Sequence, residues 1–477
     1  MITYITGFII LIAGGIFYGR VCGRILSPFS KLTPAVKFTD GLDFVGMPKW
    51  KNCLIQLLNI AGTGPVLGPI QGILFGPVAF ITIPVGCVIA GAFHDYMVGM
   101  LSIRNDGKQM PAMVRNYLGN GMFLFYNIIA GLLLTLFGAV LIYTPGDLLA
   151  SGIFRQSASP DDPLIWIIYG VILLYYMIAT VAPIDKIIGR VYPVFGAILI
   201  LSAVGIFFGI FIKGYPLDEL WTAGMVSHPA GFHFFPVFFV TVACGIISGF
   251  HATQSTMISR TVRNEKEGRM TFYNMMLVEG FIAMTWAGGA MGVYNLGLAS
   301  YKTDVISIVS IISSDLLGKA GGMLAISCVI VLSVTSGDTA FRSLRLIIGE
   351  IFHIDQRPMR NRLLTAFGII VVIIVLLIFA KTNANGFKIL WQYFALENQT
   401  LAVFSFAIMT VYMIKKRMPF LMAMLPGAFY MFIVCCYILN ARIGFNLPYA
   451  ASVALGILLA VIYCILLLRV KKKLRIR

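Results

Sequence analysis

The sequence predicts an all-α integral membrane protein with about thirteen transmembrane helices, and three observations predict it. Of 477 residues, 59% are hydrophobic and only 12% charged, whereas a soluble domain carries roughly 25% charged residues. The apolar runs are repeatedly about 20 residues long, the length a helix needs to cross hydrocarbon. The basic residues fall in alternate short loops between those runs, as membrane topology requires. That placement sets aside nucleic acid as a partner despite a net charge of +17 and leaves the lipid bilayer as the implied surroundings. The eight cysteines lie almost all within apolar runs, without CxxC spacing, and read as small core residues.

In chain order the runs cover 2–19, a Gly/Pro-broken stretch at 51–70, then 73–96, 122–143, 163–182, 190–212, 234–257, 271–296, 319–341, 363–380, 387–414, 418–440 and 447–469. The first ends in Gly19-Arg20 with its charges after the apolar run and no small-residue cleavage site, which marks a retained span. The longest loops, 20–50 and 297–318, have room for a short amphipathic helix each. Thirteen crossings put the termini on opposite sides. With the N-terminus outside, 29 of the 36 Lys and Arg residues fall in inside loops, so the C-terminus is expected in the cytoplasm.

Two spans are interrupted. The second reads CLIQLLNIAGTGPVLGPIQG from Cys53, with Gly62, Gly64, Pro65, Gly68 and Pro69 at membrane depth. The seventh reads CGIISGFHATQSTMISR from Cys244, loading Ser248, Gly249, His251, Thr253, Gln254 and Ser255 into one stretch. Irregular backbone in hydrocarbon is tolerated only where it is buried in protein or lines a cavity. Five crossings run from the first break and five more begin with the second, and halves with an odd number of spans insert in opposite orientation. Paired interruptions in inverted halves mark the binding site of a transporter. The expected division is therefore an extra helix and cytoplasmic loop (1–50), a first five-helix repeat (51–213), an inverted second repeat (234–414), and two C-terminal helices with a basic tail (415–477). Substrate-binding candidates are Asn59, Gly62, Thr63 and Gly64 at the first break and Ser248, Gly249, His251, Thr253, Gln254 and Ser255 at the second. Helix N-terminal amides freed there attract anionic groups, so a carboxylate-bearing solute suits the site. Close helix packing by small residues also explains the glycines, though not Pro65 and Pro69.

Ionisable groups inside spans are costly and functional by default. Glu279 has apolar residues on both sides in MMLVEGFIAMTW, a desolvated setting that suits a proton carrier; a permanent hydrogen bond to a neighbouring helix accounts for it equally. His94 and Asp95 lie near the inner end of the third span. Adjacent residues on a helix point about 100° apart, so each is expected to have its own partner, in a relay or at an inner gate. Asp338 follows Thr335 and Ser336 and can pair with Arg342 one turn on. The two hydroxyls, with freed carbonyls of the second span, would suit a sodium ion, while helix-bending Ser/Thr is the plainer account. Glu397-Asn398-Gln399 is either a polar helix contact or part of a cavity. No metal-ligand spacing and no Walker loop is present, so no metal site and no cofactor is expected beyond a co-transported proton or sodium ion.

The blocks DGLDFVGMPKW, IQLLNIAGTGPVLGPIQG, AGAFHDYMVGMLSIRNDG, SGFHATQSTMISR and TSGDTAFRSLRLIIGE, spanning about residues 40–350, together resemble the carbon starvation protein A family, and LWQYFALENQTLAVF continues the likeness weakly. The resemblance implies a bacterial cytoplasmic-membrane transporter of pyruvate or short peptides, proton-coupled. It also implies a leucine-transporter-like 5+5 fold of the amino acid, polyamine and organocation superfamily, with one extra N-terminal and two extra C-terminal helices. The chain is shorter at its C-terminal end than the long members, which leaves pyruvate and peptide both open. A sodium-coupled symporter of the same fold is the alternative. A channel would need filter-like repeats or charge rings. An intramembrane enzyme would have only His94-Asp95 and His251 with Ser255 to work with. Oligomeric state is not legible.

Overall fold

The computed structural model describes residues 1–28, 32–41, 43–181, 184–222, 228–356 and 358–475. Of the basic residues counted as inside, Lys31, Arg357 and Arg477 lie outside that set. In chain order the described residues form α1 (Ile2–Leu26), α2 (Lys49–Ile60), α3 (Gly64–Phe75), α4 (Ala79–Arg104), α5 (Asn120–Ile153), α6 (Pro163–Thr180) and α7 (Val194–Ile212). The broken stretch follows as α8 (Phe234–Thr241), α9 (Ala243–Ile246) and α10 (Gly249–Ile258). After it come α11 (Glu265–Asn295), α12 (Val305–Ile351), α13 (Met359–Thr382), α14 (Gly386–Lys415), α15 (Leu421–Asn440) and α16 (Tyr449–Lys471). Eleven of these helices are long and apolar enough to cross a membrane, or twelve if α2 and α3, bent by 48°, are one span. The expected count of thirteen differs by the run at 234–257, whose three short helices are each below spanning length. In the loop at 297–318, where the sequence leaves room for a short amphipathic helix, α12 begins at Val305, and Gly318 at φ +69° sets this first part off from the rest.

Burial separates the helices into two populations. In α11 and α14, 83% of the most apolar stretch is buried inside the protein, against 33% in α6, α7 and α13 and 17% in α16. Exposed Val171, Leu174, Val372, Val375, Leu458 and Val461 form part of the outer apolar surface, which only lipid tails can cover without cost.

Contacts between helix ends fall into two groups. At one end Arg104 donates to the Leu26 carbonyl (2.6 Å), to Glu265 (3.1 Å) and to the Tyr412 hydroxyl (3.2 Å). At the same end Asn52 of α2 exchanges hydrogen bonds with Thr261, just beyond α10 (2.7 and 3.1 Å). Met47 bonds back to the Thr261 carbonyl at 2.9 Å. At the other end the Met1 ammonium meets Glu219, Lys213 meets Asp315 (3.1 Å), and Lys381 meets both oxygens of Asp147 (2.8 Å).

Both breaks arise from local backbone chemistry. Ala61 leaves the helical region at φ −81°, ψ 51°, and Pro65 restarts a helix in its first turn, where its missing N–H costs nothing. At the second break Gly245 has φ +96°, and Ile247 and Ser248 are extended. The carbonyls and amides released are met by other helices. Ser336 of α12 donates to the Leu58 carbonyl at 3.1 Å. On α14, Asn398 Oδ1 accepts from the Ser248 hydroxyl (3.0 Å) and the Phe250 amide (2.8 Å), while Gln399 donates to the Phe239 and Ile247 carbonyls (3.0 and 3.3 Å). Between the two readings of Glu397-Asn398-Gln399, the polar helix contact describes Asn398 and Gln399.

Two stability measurements follow. Lys381→Met strands the Asp147 carboxylate and is expected to cost about 3 kcal/mol, most of it regained when Asp147→Leu is added. Melting of the two variants in detergent checks this, and equal melting of single and double variants would contradict it. Asn398→Leu removes one acceptor from two buried donors and is expected to cost about 2 kcal/mol. Hydrogen exchange at the Phe250 amide should rise in that variant while exchange in α16 stays unchanged.

Candidate functional site

The second break is pressed against both the first break and α4. A Cβ on Gly64 would lie 2.3 Å from Cys244 Sγ, and one on Gly91 would lie 2.1 Å from the Ile246 carbonyl oxygen. Only glycine permits either approach. Gly91 closes a π-helical turn, Cys87–Gly91, of the kind found inside α-helices near functional sites. That turn sets the register in which the next residues of α4 face the break.

Those next residues are His94 and Asp95. His94 Nδ1 lies 2.8 Å from Asp95 Oδ1, and His251 Nδ1 of α10 lies 3.2 Å from Asp95 Oδ2. His251 Nε2 then faces Glu279 Oε2 of α11 at 3.5 Å. All four side chains are fully buried, and the Phe406 ring meets the His94 ring edge-on at 5.5 Å between centroids. The expectation of separate partners for His94 and Asp95 fails: Asp95 has two oxygens, and its carboxylate is short enough to reach its neighbour's ring with one and α10 with the other.

The far end of this chain is incompletely paired. Among the described residues neither Glu279 oxygen nor His251 Nε2 makes a hydrogen bond of ordinary geometry, although the Gly245 amide lies near the carboxyl and Cys244 near the imidazole. Cys244 Sγ completes a triangle with them, all three ligand atoms lying within 4.8 Å of one another. Buried polar groups left this way are rare and call for an explanation.

The remaining candidates divide by contact. Asn59, at the end of α2, has both amide atoms buried without a hydrogen-bond partner among the described residues, and Thr63, between α2 and α3, has its hydroxyl likewise. Ser255 accepts from Gln56 of α2 at 3.1 Å, tying α10 to α2. Gln254 donates to the Thr253 hydroxyl (3.0 Å) and leaves its carbonyl oxygen unpartnered. Thr253 and Thr335 return their hydroxyls to their own helices. Gly62 lies against Ser336, where an added Cβ would be 2.9 Å from Oγ, and Gly249 lies against the Asn398 carbonyl at 2.3 Å by the same measure. Asp338 is fully buried in α12. Arg342 reaches the Ala179 carbonyl at 2.9 Å and Asp43 at 3.9 Å. Glu397 is half-buried on α14. The anion-binding amides expected at α10 are in part already occupied, since Asn398 takes Phe250 N–H.

Sequence reasoning missed Cys244 and Gln56. Cys244 was indistinguishable from the other apolar-run cysteines, and only the fold brings it to His251. Gln56 carried a legible signal, a polar residue in an apolar stretch five residues before the break at Ala61.

The sequence profile described as "Carbon starvation protein CstA" matches residues 1–155 and 161–294, leaving the block at 335–350 outside the match. A membrane protein of Haemophilus influenzae is 37% identical over 339 residues, which cover 61% of this chain and 89% of that one. The Escherichia coli peptide transporter CstA is 26% identical over 326 residues, covering 54% of this chain and 44% of its own length. The Escherichia coli pyruvate/proton symporter BtsT is 25% identical over 314 residues, covering 54% and 43%. The chain thus matches less than half the length of these two named transporters. Among solved structures, a variant of the Eremococcus coleocola manganese transporter superposes with TM-score 0.55 at 12% identity, covering 92% of this chain and 98% of that one. A Na+-coupled sialic acid symporter gives 0.50 at 15% identity, covering 96% of each. At such identities the likeness is one of fold, and both folds are those of multi-pass transporters. The profile match extends over more than half of the residues, from α1 through nearly all of α11, and the chain belongs to the carbon starvation protein CstA family.

Proposed function

We propose that this chain is a secondary active transporter. It imports a small carboxylate-bearing nutrient, a short peptide or pyruvate, across the bacterial cytoplasmic membrane by proton symport. The observation that carries the reading is the fully buried run His94, Asp95, His251, Glu279, placed where two interrupted spans touch. A peptide transporter and a pyruvate/proton symporter among the relatives supply the two substrate classes. The unpartnered Asn59 amide, Thr63 hydroxyl and Gln254 carbonyl are buried polar groups with hydrogen bonds left to give, which favours a polar solute over an apolar one.

The proton has a place in this arrangement. Asp95 takes the Nδ1 side of His251, so its Nε2 lone pair points at a Glu279 oxygen 3.5 Å away. Two lone pairs facing each other in a dry interior require a proton or a cation between them. Loading and unloading that proton changes the charge of the bundle core by one unit, a large perturbation at low dielectric. Alternating access then separates α2 from α10 at the Asn52–Thr261 end, or opens the opposite end, one bundle rocking on the other. In this reading the spans from α2 to α7 and from α8 to α14 are the inverted repeats, and the Asn52–Thr261 end is cytoplasmic by the positive-inside argument. Sodium coupling is the second reading, favoured by one contact, Ser336 against the freed carbonyls of Leu58 and Asn59 (3.1 and 3.5 Å).

Proteoliposomes loaded with an imposed pH or sodium gradient decide between them. Labelled pyruvate or a labelled dipeptide is expected to accumulate under an inward proton gradient, and sodium-driven accumulation alone would move the coupling to Ser336. If neither gradient drives either solute, symport is excluded. Glu279→Gln is expected to reduce proton-driven accumulation at least tenfold while solute exchange at equal pH persists. An unchanged pH dependence of uptake in that variant would remove Glu279 as the carrier.

A further inference from the structure

We propose that Cys244, His251 and Glu279 form a binding site for a soft divalent transition-metal ion of the zinc class. The inference rests on the geometry of the second break and stands whether or not the transport reading above does.

Three donors of three kinds converge there: a sulfur, an imidazole nitrogen and a carboxylate oxygen, within 4.8 Å of one another. His251 Nε2 and both Glu279 oxygens are fully buried and, among the described residues, lack hydrogen bonds of ordinary geometry, with Cys244 near the imidazole and the Gly245 amide near the carboxyl. The Nε2 to Oε2 separation is 3.5 Å. Two ligands bound at about 2.1 Å to one tetrahedral ion lie roughly 3.4 Å apart, so this edge of the site already has its final length. Sulfur closes the remaining edges with modest movement of a cysteine side chain.

The surroundings are those of a metal ligand set as well. Asp95 Oδ2 holds His251 Nδ1 at 3.2 Å, fixing the tautomer that presents a lone pair at Nε2, the arrangement that orients histidine ligands in metal sites. Asn398 Nδ2 approaches Cys244 Sγ at 3.8 Å, a donor suited to a thiolate. A thiolate and a carboxylate carry two negative charges between them, which a divalent ion cancels; charges buried out of water must be compensated in this way. Nitrogen and sulfur donors select zinc, cadmium and cobalt over magnesium and calcium, which prefer oxygen. Three protein ligands leave one tetrahedral position for water or a solute oxygen. Occupation by a metal and by a proton are exclusive, since both use His251 Nε2 and Glu279.

Cadmium is the probe, because its bond to thiolate gives an ultraviolet charge-transfer band. Full-length protein purified in detergent and stripped with a chelator is expected to bind one Cd²⁺ per chain with that band. Cys244→Ser should abolish the band, and His251→Gln and Glu279→Gln should each weaken binding at least tenfold. Cys435→Ser, a buried cysteine on α15, should leave both band and affinity unchanged. Absence of stoichiometric binding in the unmodified protein, a band that persists in Cys244→Ser, or a band lost in Cys435→Ser overturns the site. Should a substitution prevent folding, protection of Cys244 from maleimide by Cd²⁺ in the unmodified protein decides instead, and labelling at an unchanged rate counts against the proposal. Failure of cadmium binding with proton-driven uptake intact removes the metal site alone.

Discussion

A peptide amide without a partner costs several kcal/mol in hydrocarbon, and two of the longest-buried stretches of this chain give up their helical hydrogen bonds at membrane depth. Everything near the core is arranged to answer that cost. Ser336 meets a carbonyl freed at the end of α2, Asn398 meets the Phe250 amide in the first turn of α10, and Gln399 meets two carbonyls on the approach to it. The helices that supply these groups, α12 and α14, are thereby bound to the breaks by specific polar contacts, against a background of apolar packing that would tolerate sliding. The heavy burial of α14 is the structural counterpart of that duty.

The same dry interior governs the charges. Asp95, buried completely, is held by two imidazoles, and Asp147 near the opposite end by Lys381 and the Tyr169 hydroxyl at 2.5 Å. The two arrangements differ in kind. Lys381 also faces the Tyr143 ring at 4.6 Å, and its pair with Asp147 is closed, each charge matched by its opposite. The run ending at Glu279 is looser, with His251 Nε2 and a Glu279 oxygen 3.5 Å apart and no hydrogen bond of ordinary geometry between them. A closed pair fixes structure; a looser one responds to what occupies it. That contrast separates Glu279 from Asp147 as a functional candidate more sharply than burial does.

Hydropathy and the alternation of basic loops made the helices legible, because both depend on composition averaged over some twenty residues. The breaks were legible too, since Pro65 and the clustered polar residues from Ser248 are local signals. What the sequence did not show is how the pieces meet. His94 and Asp95 looked divergent because helical geometry separates neighbouring side-chain directions, yet a carboxylate has two oxygens and bridges them. Cys244 looked inert because its partners lie seven and thirty-five residues away in sequence and converge only through folding. The run at 234–257 reads as one span because hydropathy does not register where a backbone breaks into short helices.

The two breaks touch through Gly64 and Cys244, and α4 touches the second through Gly91 and Ile246. At Gly91 the approach is onto the Ile246 backbone carbonyl, and at Gly64 it is onto the Cys244 side chain, so displacement of α4 or α3 bears directly on α9. The Glu279 carboxyl, on α11, lies across the same backbone near Gly245. Movement of either broken span therefore changes the separation of His251 and Glu279, which sit on helices following the second break. A separation of 3.5 Å is within reach of a shared proton or ion only over a few tenths of an ångström. In the reading proposed above, coupling needs no long-range pathway: the cation site and the breaks share the same few residues, and filling one sets the geometry of the other.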